Sequence, residues 1–256
     1  MPDESGVTLV RDGSVATITI TGAALTSKVK AALVDAIAQV SADSEVRAVV
    51  LTGTGKAFSV GQDLNEHAAA LREDASHAFD TVEQHYNPIV LGLATMPKPV
   101  IASINGLCVG AGLGFALACD LRIASAKAKF GTAFTAIGLT CDSGLSVTLA
   151  RAVGAARASE LVFRANTFSA EEALAWGIVG QVVPPEDLAA ETAALAGKFA
   201  NGPTLAYAEA KRAMALSLDQ ALAAEGAGQA RLGVTEDHQN AVAAFLAKET
   251  PTFLGR

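Results

Sequence analysis

Between Asn105 and Asp120 the chain runs through fourteen residues, GLCVGAGLGFALAC, without a single charged side chain. A run of this kind must be buried, and a bilayer-spanning helix needs about 20 apolar residues, so it belongs inside a globular fold. Its glycines divide it into a strand, a turn and a tightly packed helix. Upstream, Ala57 to Leu64 (AFSVGQDL) has the same order of strand, glycine and helix start. At such a junction the first helical N–H groups have no intrahelical acceptor and point outward. Two such junctions in one chain can aim two donors at one oxygen, an oxyanion hole for a developing negative charge.

The rest of the chain bounds what that site can serve. With 256 residues, 51% of them apolar, it can bury a sizeable core as one or two domains. Its 23 glycines and Ala-rich C-terminal part indicate a mixed α/β body followed by helices. A net charge of −7 and a pI near 5.1 argue against nucleic acid as a partner. A local patch of Lys28, Lys30, Arg47 and Lys56 is a candidate for receiving phosphates, although each alone reads as a solvated charge. Cys108, Cys119 and Cys141 have no CxxC spacing and read as reduced core cysteines. The histidines at 67, 77, 85 and 238 are scattered, so no metal site is expected. The start, MPDESGVTLVRDG, lacks the basic and apolar regions of a signal peptide, which makes the cytoplasm, away from any membrane, the expected location.

In chain order, Val7–Val10 and Val15–Ile20 flank an Asp-Gly pair and predict a β-hairpin. Ser27–Val40 has helical period, with Val29, Leu33, Ala36, Ile37 and Val40 on one face. Val46–Thr52 predicts a buried strand. Residues 64–86, polar and rich in histidine and acids, predict a mobile helical segment beside the site. Asn87-Pro88 opens a helix to about Ala94, broken by Pro97 and Pro99. Strands follow at Val100–Ile104 and Leu121–Ser125, then Phe130-Gly131 and a helical turn around Ala133–Ile137. Gly138–Gly144 is a loop and Leu145–Val153 a helix. Ser169 with Glu172 forms a capping-box pattern, and Ile178–Val183 is a last strand. After Pro184-Pro185 three helices are expected: Glu186–Ala200, Leu205–Leu218 and one ending near Lys248. Two regions result, a βα body over 1–183 and an α-helical region over 184–256.

Several familiar motifs fail on spacing. GAGLG at 110–114 is not a dinucleotide fingerprint, because its third glycine comes one residue early and Asp120 only six residues after Gly114. GTGK at 53–56 has Val50 and Ala57 where a P-loop needs glycine and Ser/Thr. Ser59, Ser143 and Ser146 lie outside any G-x-S-x-G elbow. Three stretches instead match a known pattern: GKAFSVGQDL (55–64), PKPVIASINGLCVGAGLGFALACDLRIAS (97–125) and AFLAKETPTFLGR (244–256). By these the chain resembles the crotonase superfamily, the enoyl-CoA hydratases and isomerases, over essentially its whole length.

The resemblance implies an α/β spiral of ββα turns with a C-terminal helical region that makes trimers, often paired into hexamers. It implies an acyl-CoA thioester as substrate, with no cofactor beyond that coenzyme A moiety. Carried over by position, the oxyanion donors would be the backbone N–H groups of Val60 and Ala111. Ala57, Phe58, Gly61, Gln62, Asp63, Leu64, Gly110 and Phe134 would line the CoA and acyl channel. Hydratases of the family carry two glutamates, whose positions here are Gly114 and Phe134. The remaining candidate is Asp142 in GLTCDSG, which aligns with the aspartate of a P-D-x-G-G loop in family isomerases, with Cys141 in place of the proline. GQDLN (61–65), YNPIV (86–90) and CDLRIAS (119–125) look like strings of the 2-(1,2-epoxy-1,2-dihydrophenyl)acetyl-CoA isomerases of phenylacetate catabolism. One carboxylate suffices to carry a proton between C2 and C4 of an enolate, whereas adding water takes two groups. The expectation is therefore an isomerase with Asp142 as shuttle, its pKa raised by Phe134, Ile137 and Leu139. The alternatives are a hydratase, a non-catalytic acyl-CoA-binding homologue, and an Asp142 that merely caps the following helix. The segment Thr21–Leu25 is shorter than in the family pattern, so nucleotide contacts there do not carry over.

Overall fold

The computed structural model describes residues 5–256, so the acidic first four, part of the stretch on which the absence of a leader was argued, lie outside it. The hairpin forms as expected from β1 (Val7–Asp12) and β2 (Val15–Ile20), paired antiparallel. Helix α1 (Ser27–Ala42) starts at Thr26, whose hydroxyl accepts the Val29 N–H at 3.3 Å. It buries Val29, Leu33, Ala36, Ile37 and Val40, and also Lys30.

Three turns of a spiral follow. Each has one strand in a large sheet and the next in a small sheet: β3 (Ala48–Gly53) then β4 (Ala57–Ser59), β5 (Val100–Ile104) then β6 (Leu107–Val109), and β7 (Leu121–Ser125) then β8 (Lys129–Gly131). The large sheet, closed by β10 (Gln181–Val183), has the order β1-β2-β3-β5-β7-β10 and is parallel from β2 onward. The small sheet is β4-β6-β8-β9, with β9 at Phe168–Ser169. The repeat lies in the alternation between sheets, and its members differ too much in length to show as a sequence period. The fourteen-residue apolar run splits into β6 and α4 (Ala111–Ala118), every residue of α4 being buried.

Helices α2 (Leu64–Asp74) and α3 (Asn87–Thr95), the latter entered through a π-helical turn at Val82–Tyr86, lie between the first and second of these turns. α5 (Leu145–Val153) is followed by α6 (Ala155–Arg164), which the sequence reading left unassigned, and by α7 (Ala170–Ala175) with the expected capping box at Ser169 and Glu172. α8 (Leu188–Ala200) packs Leu188 and Ala196 onto Val50, Ile101, Ile123 and Val183 of the large sheet. Beyond it lie α9 (Thr204–Met214), α10 (Leu218–Leu232) and α11 (Glu236–Ala247). The helix expected over 205–218 therefore ends at Met214. Ser217 and Gln220 form a new capping box there, which starts α10 instead of prolonging α9.

Candidate active site

β4 and β6 are parallel neighbours, so their C-terminal ends lie side by side and both open toward one cavity. The approach is close. A Cβ added to Gly61 would lie 3.3 Å from the Val109 carbonyl oxygen and 3.5 Å from the Ala111 nitrogen, and Gly61 itself has φ +79°.

The direction of each N–H follows from peptide planarity, because in a trans peptide the N–H points opposite the C=O and no peptide among the described residues is cis. The Gly110 carbonyl accepts the N–H groups of Leu113 (3.0 Å) and Gly114 (3.2 Å), so the Ala111 N–H points out of the helix start. The Gly61 carbonyl accepts the Leu25 N–H at 2.8 Å, so the Gln62 N–H points the other way. Among the described residues neither N–H has a hydrogen-bond partner. Both Gln62 and Ala111 line the cavity. The Val60 N–H, expected as the second donor, is instead consumed by the Ala23 carbonyl at 2.8 Å. Val60 lines the cavity, but the free donor on that side belongs to Gln62, two residues on.

Asp142 lines the same cavity, and among the described residues it is the only carboxylate that does. Its helix-capping alternative is not realised: Gly144 stands at the start of α5, and the Asp142 carboxylate accepts the Ser143 hydroxyl at 2.8 Å. Burial pushes its carboxyl above the ordinary value, opposed by the Ser143 hydrogen bond and by the charge of Lys30. The loop is fixed by two successive left-handed residues, Ser143 (φ 52°) and Gly144 (φ 69°), and across the cavity Ala133 has φ 65°. Non-glycine residues held in this region mark a backbone constrained by its surroundings.

The remaining walls are largely apolar: Leu64, Ala78, Phe79, Val82, Phe134, Ile137 and Leu139. His67 meets Phe79 edge-on at 5.1 Å between ring centroids. Behind Gln62, its Oε1 accepts the ammonium of Lys30 at 3.1 Å and the hydroxyl of Tyr86. Lys30 and Tyr86 are each 1% exposed. Burial first, and then the charges of Asp142 and Glu66, hold the Tyr86 phenol protonated.

Of the expected lining residues, Gly61, Gln62, Leu64, Gly110 and Phe134 do face the cavity. Ala57 and Phe58 do not. They belong to β4 and are buried in its packing, with Phe58 fully enclosed in the core. Asp63 is also turned away, capping α2 by accepting the N–H groups of Asn65 and Glu66, both at 2.9 Å. The expected basic patch does not form: Lys30 points inward, and Arg47 binds Thr204, the Gly202 carbonyl and the Phe253 carbonyl, fastening the C-terminal segment to the body. Tyr86 is not among the expected site residues, and Lys30 is expected only as a candidate for receiving phosphates. Lys30 shares a helical face with Leu33 and Ile37, three and seven residues on, which is the signal that places it inside.

The family described as enoyl-CoA hydratase/isomerase matches residues 11–256. The chain is 40% identical over 230 residues to the 1,2-epoxyphenylacetyl-CoA isomerase of Escherichia coli K12, covering 88% of each chain. It is 34% identical to the short-chain-enoyl-CoA hydratase of Clostridium acetobutylicum, covering 95% of each. A solved structure from Mycobacterium abscessus, of the hydratase/isomerase family by its description, superposes with a TM-score of 0.93 at 45% identity, covering 98% of this chain and all of the other.

Proposed function

The chain belongs to the enoyl-CoA hydratase/isomerase family, and from that premise we propose that it is an enoyl-CoA isomerase that moves a double bond of an acyl-CoA thioester. The observation that carries this reading is that Asp142, the single carboxylate lining the cavity among the described residues, shares it with two free N–H donors. The thioester oxygen of a 3-enoyl-CoA sits between the Gln62 and Ala111 N–H groups. Asp142 removes a proton from C2, and the electrons of that C–H bond form the C1–C2 double bond of a dienolate whose charge rests on the thioester oxygen. The same carboxyl returns the proton at C4 as the oxyanion collapses, leaving the double bond between C2 and C3. No atom is gained or lost. The two preorganised donors supply the main barrier lowering, about 3–4 kcal/mol for each by analogy with other oxyanion holes.

The second reading, water addition to a 2-enoyl-CoA, is favoured by the family's many hydratases, the Clostridium relative among them. It needs a second acid–base group, and the positions where glutamates would supply one hold Gly114 and Phe134. Product mass separates the two: an isomerase gives a product of unchanged mass, a hydratase one heavier by a water. A binding homologue without chemistry gives neither.

The apolar wall with Phe79, Tyr86 and Phe134 supports an aryl or cyclic acyl group, as in phenylacetate catabolism. No metal, flavin or nicotinamide is required by this chemistry. We further take the protein to be a cytoplasmic homotrimer or dimer of trimers. In support, no helix among the described residues is long and apolar enough to cross a membrane. The C-terminal helices carry Met214, Leu218, Phe245 and Leu246 at 77–80% exposure, an apolar surface suited to burial against further copies.

A further inference from the structure

Lys30 is a buried cation that makes no ion pair with a carboxylate among the described residues. It reaches from α1 to the back of the site, where its Nζ donates to Gln62 Oε1 at 3.1 Å and stands 5.4 Å from the centroid of the Tyr86 ring. Tyr86 donates its hydroxyl to the same oxygen. Asp142, Glu66 and Asp63 act on the ammonium only through space, and burial pushes its pKa down despite them. Burying an ammonium against a neutral amide is expensive, and an apolar side chain of similar volume would fill the place without that cost. The two bonds converge on the side chain of Gln62, one of the two residues whose backbone N–H is left free toward the cavity.

We infer that Lys30 is a positioning residue for the oxyanion hole: with Tyr86 it clamps the Gln62 side chain so that the Gln62 N–H stays aimed at the thioester oxygen, and it sets its unpaired positive charge against the enolate. The inference rests on the oxyanion reading of the site given above. The clamp fixes Gln62 through its side chain and leaves its backbone N–H free. The charge favours a state in which the thioester oxygen is negative over one in which it is neutral, the differential stabilisation that raises turnover rather than affinity.

The test is an equilibrium measurement with cinnamoyl-CoA, an aryl enoyl thioester that has no C4 hydrogen to shuttle and so is not isomerised. A thioester carbonyl polarised by the hole shifts the absorbance of this conjugated probe to the red. The wild type should show the shift, and Lys30→Met should lose at least about half of it while binding the probe within about threefold of wild type. On a 3-enoyl-CoA, Lys30→Met should lower kcat by roughly ten- to a hundredfold with KM within about threefold. Gln62→Met, which keeps the backbone N–H and the Lys30 charge but offers no oxygen to clamp, should lose part of the shift, and the double variant should be no worse than Lys30→Met. A folded Lys30→Met with the wild-type shift and kcat overturns the inference, and if that variant does not fold, a wild-type shift in Gln62→Met does so. Binding of cinnamoyl-CoA by the wild type with no red shift also overturns it. A red shift without turnover of 3-enoyl-CoA defeats the isomerase reading alone, and the clamp is then decided by the shift in the variants.

Discussion

Ser143 occupies the space that a side chain on Gly114 would need: a Cβ built at 114 would lie 2.6 Å from Ser143 Cβ and 2.7 Å from the Ser143 carbonyl oxygen. The position at which family hydratases carry a glutamate is thus filled from outside by the loop that presents Asp142. The missing glutamate and the placed aspartate are two sides of one packing arrangement. Restoring the first displaces the second.

Gly114→Ala should therefore damage both stability and turnover. Overpacking against a fixed backbone costs about 1–3 kcal/mol, and each kcal/mol lowers Tm by roughly 2–4 °C in a chain of this size. Because the atoms that must yield belong to Ser143, kcat should fall by more than the change in Tm alone would suggest. Thermal melts and kinetics on the same preparation check this.

Asp142→Asn should lose turnover by about a hundred- to ten-thousandfold yet melt above the wild type at neutral pH. Asp142 has a folded-state pKa raised above its ordinary 3.8. Its contribution to stability is fully present below the unfolded value and is lost as pH rises through the folded one. An asparagine does not ionise, so its advantage should shrink as pH falls toward the ordinary aspartate range. The acid limb of the wild-type pH–rate profile should likewise lie above 3.8. Melting curves of both proteins across pH 3–8 are the measurement.

The oxyanion donors are backbone groups, but one can be deleted cleanly. Ala111 is the first residue of α4, a position that accepts proline because its N–H has no helical acceptor. Ala111→Pro should keep the fold and lower kcat by about a hundred- to a thousandfold. Steady-state kinetics of Ala111→Pro beside the wild type reads the loss of that donor.

Helix α2 buries none of its side chains, although Leu64 and His67 form part of the cavity wall. Its amide hydrogens should exchange with solvent much faster than those of the fully buried α4. Saturating acyl-CoA should slow exchange over 64–81 and leave α4 unchanged. Hydrogen exchange followed by mass spectrometry reads both.

Much of this architecture is legible in the sequence, because the strands Val100–Ile104 and Leu121–Ser125 and the run from Leu107 to Ala118 declare their burial by composition alone. The position of Asp142 and the loss of both glutamates are legible too. What the sequence hides is direction. Whether Val60 or Gln62 offers its N–H depends on which carbonyls the segment Ala23–Leu25 presents, a tertiary choice that alternates along an extended backbone. The inward turn of Lys30 was masked by its charge, although its spacing to Leu33 and Ile37 marks it. Helix-forming residues on both sides of Ser217 displace the expected end of α9 from Met214 to Leu218, and the single helix expected beyond it is two, α10 and α11.

The most direct test of the central claim is the incubation of a 3-enoyl-CoA in heavy water with the wild type and with Asp142→Asn, followed by mass spectrometry. The account predicts a 2-enoyl-CoA without added water, formed by the wild type and absent with the variant, its deuterium content measuring how far the Asp142 proton exchanges with solvent before its return. A product heavier by one water, or a double-bond shift that survives in Asp142→Asn, would contradict it.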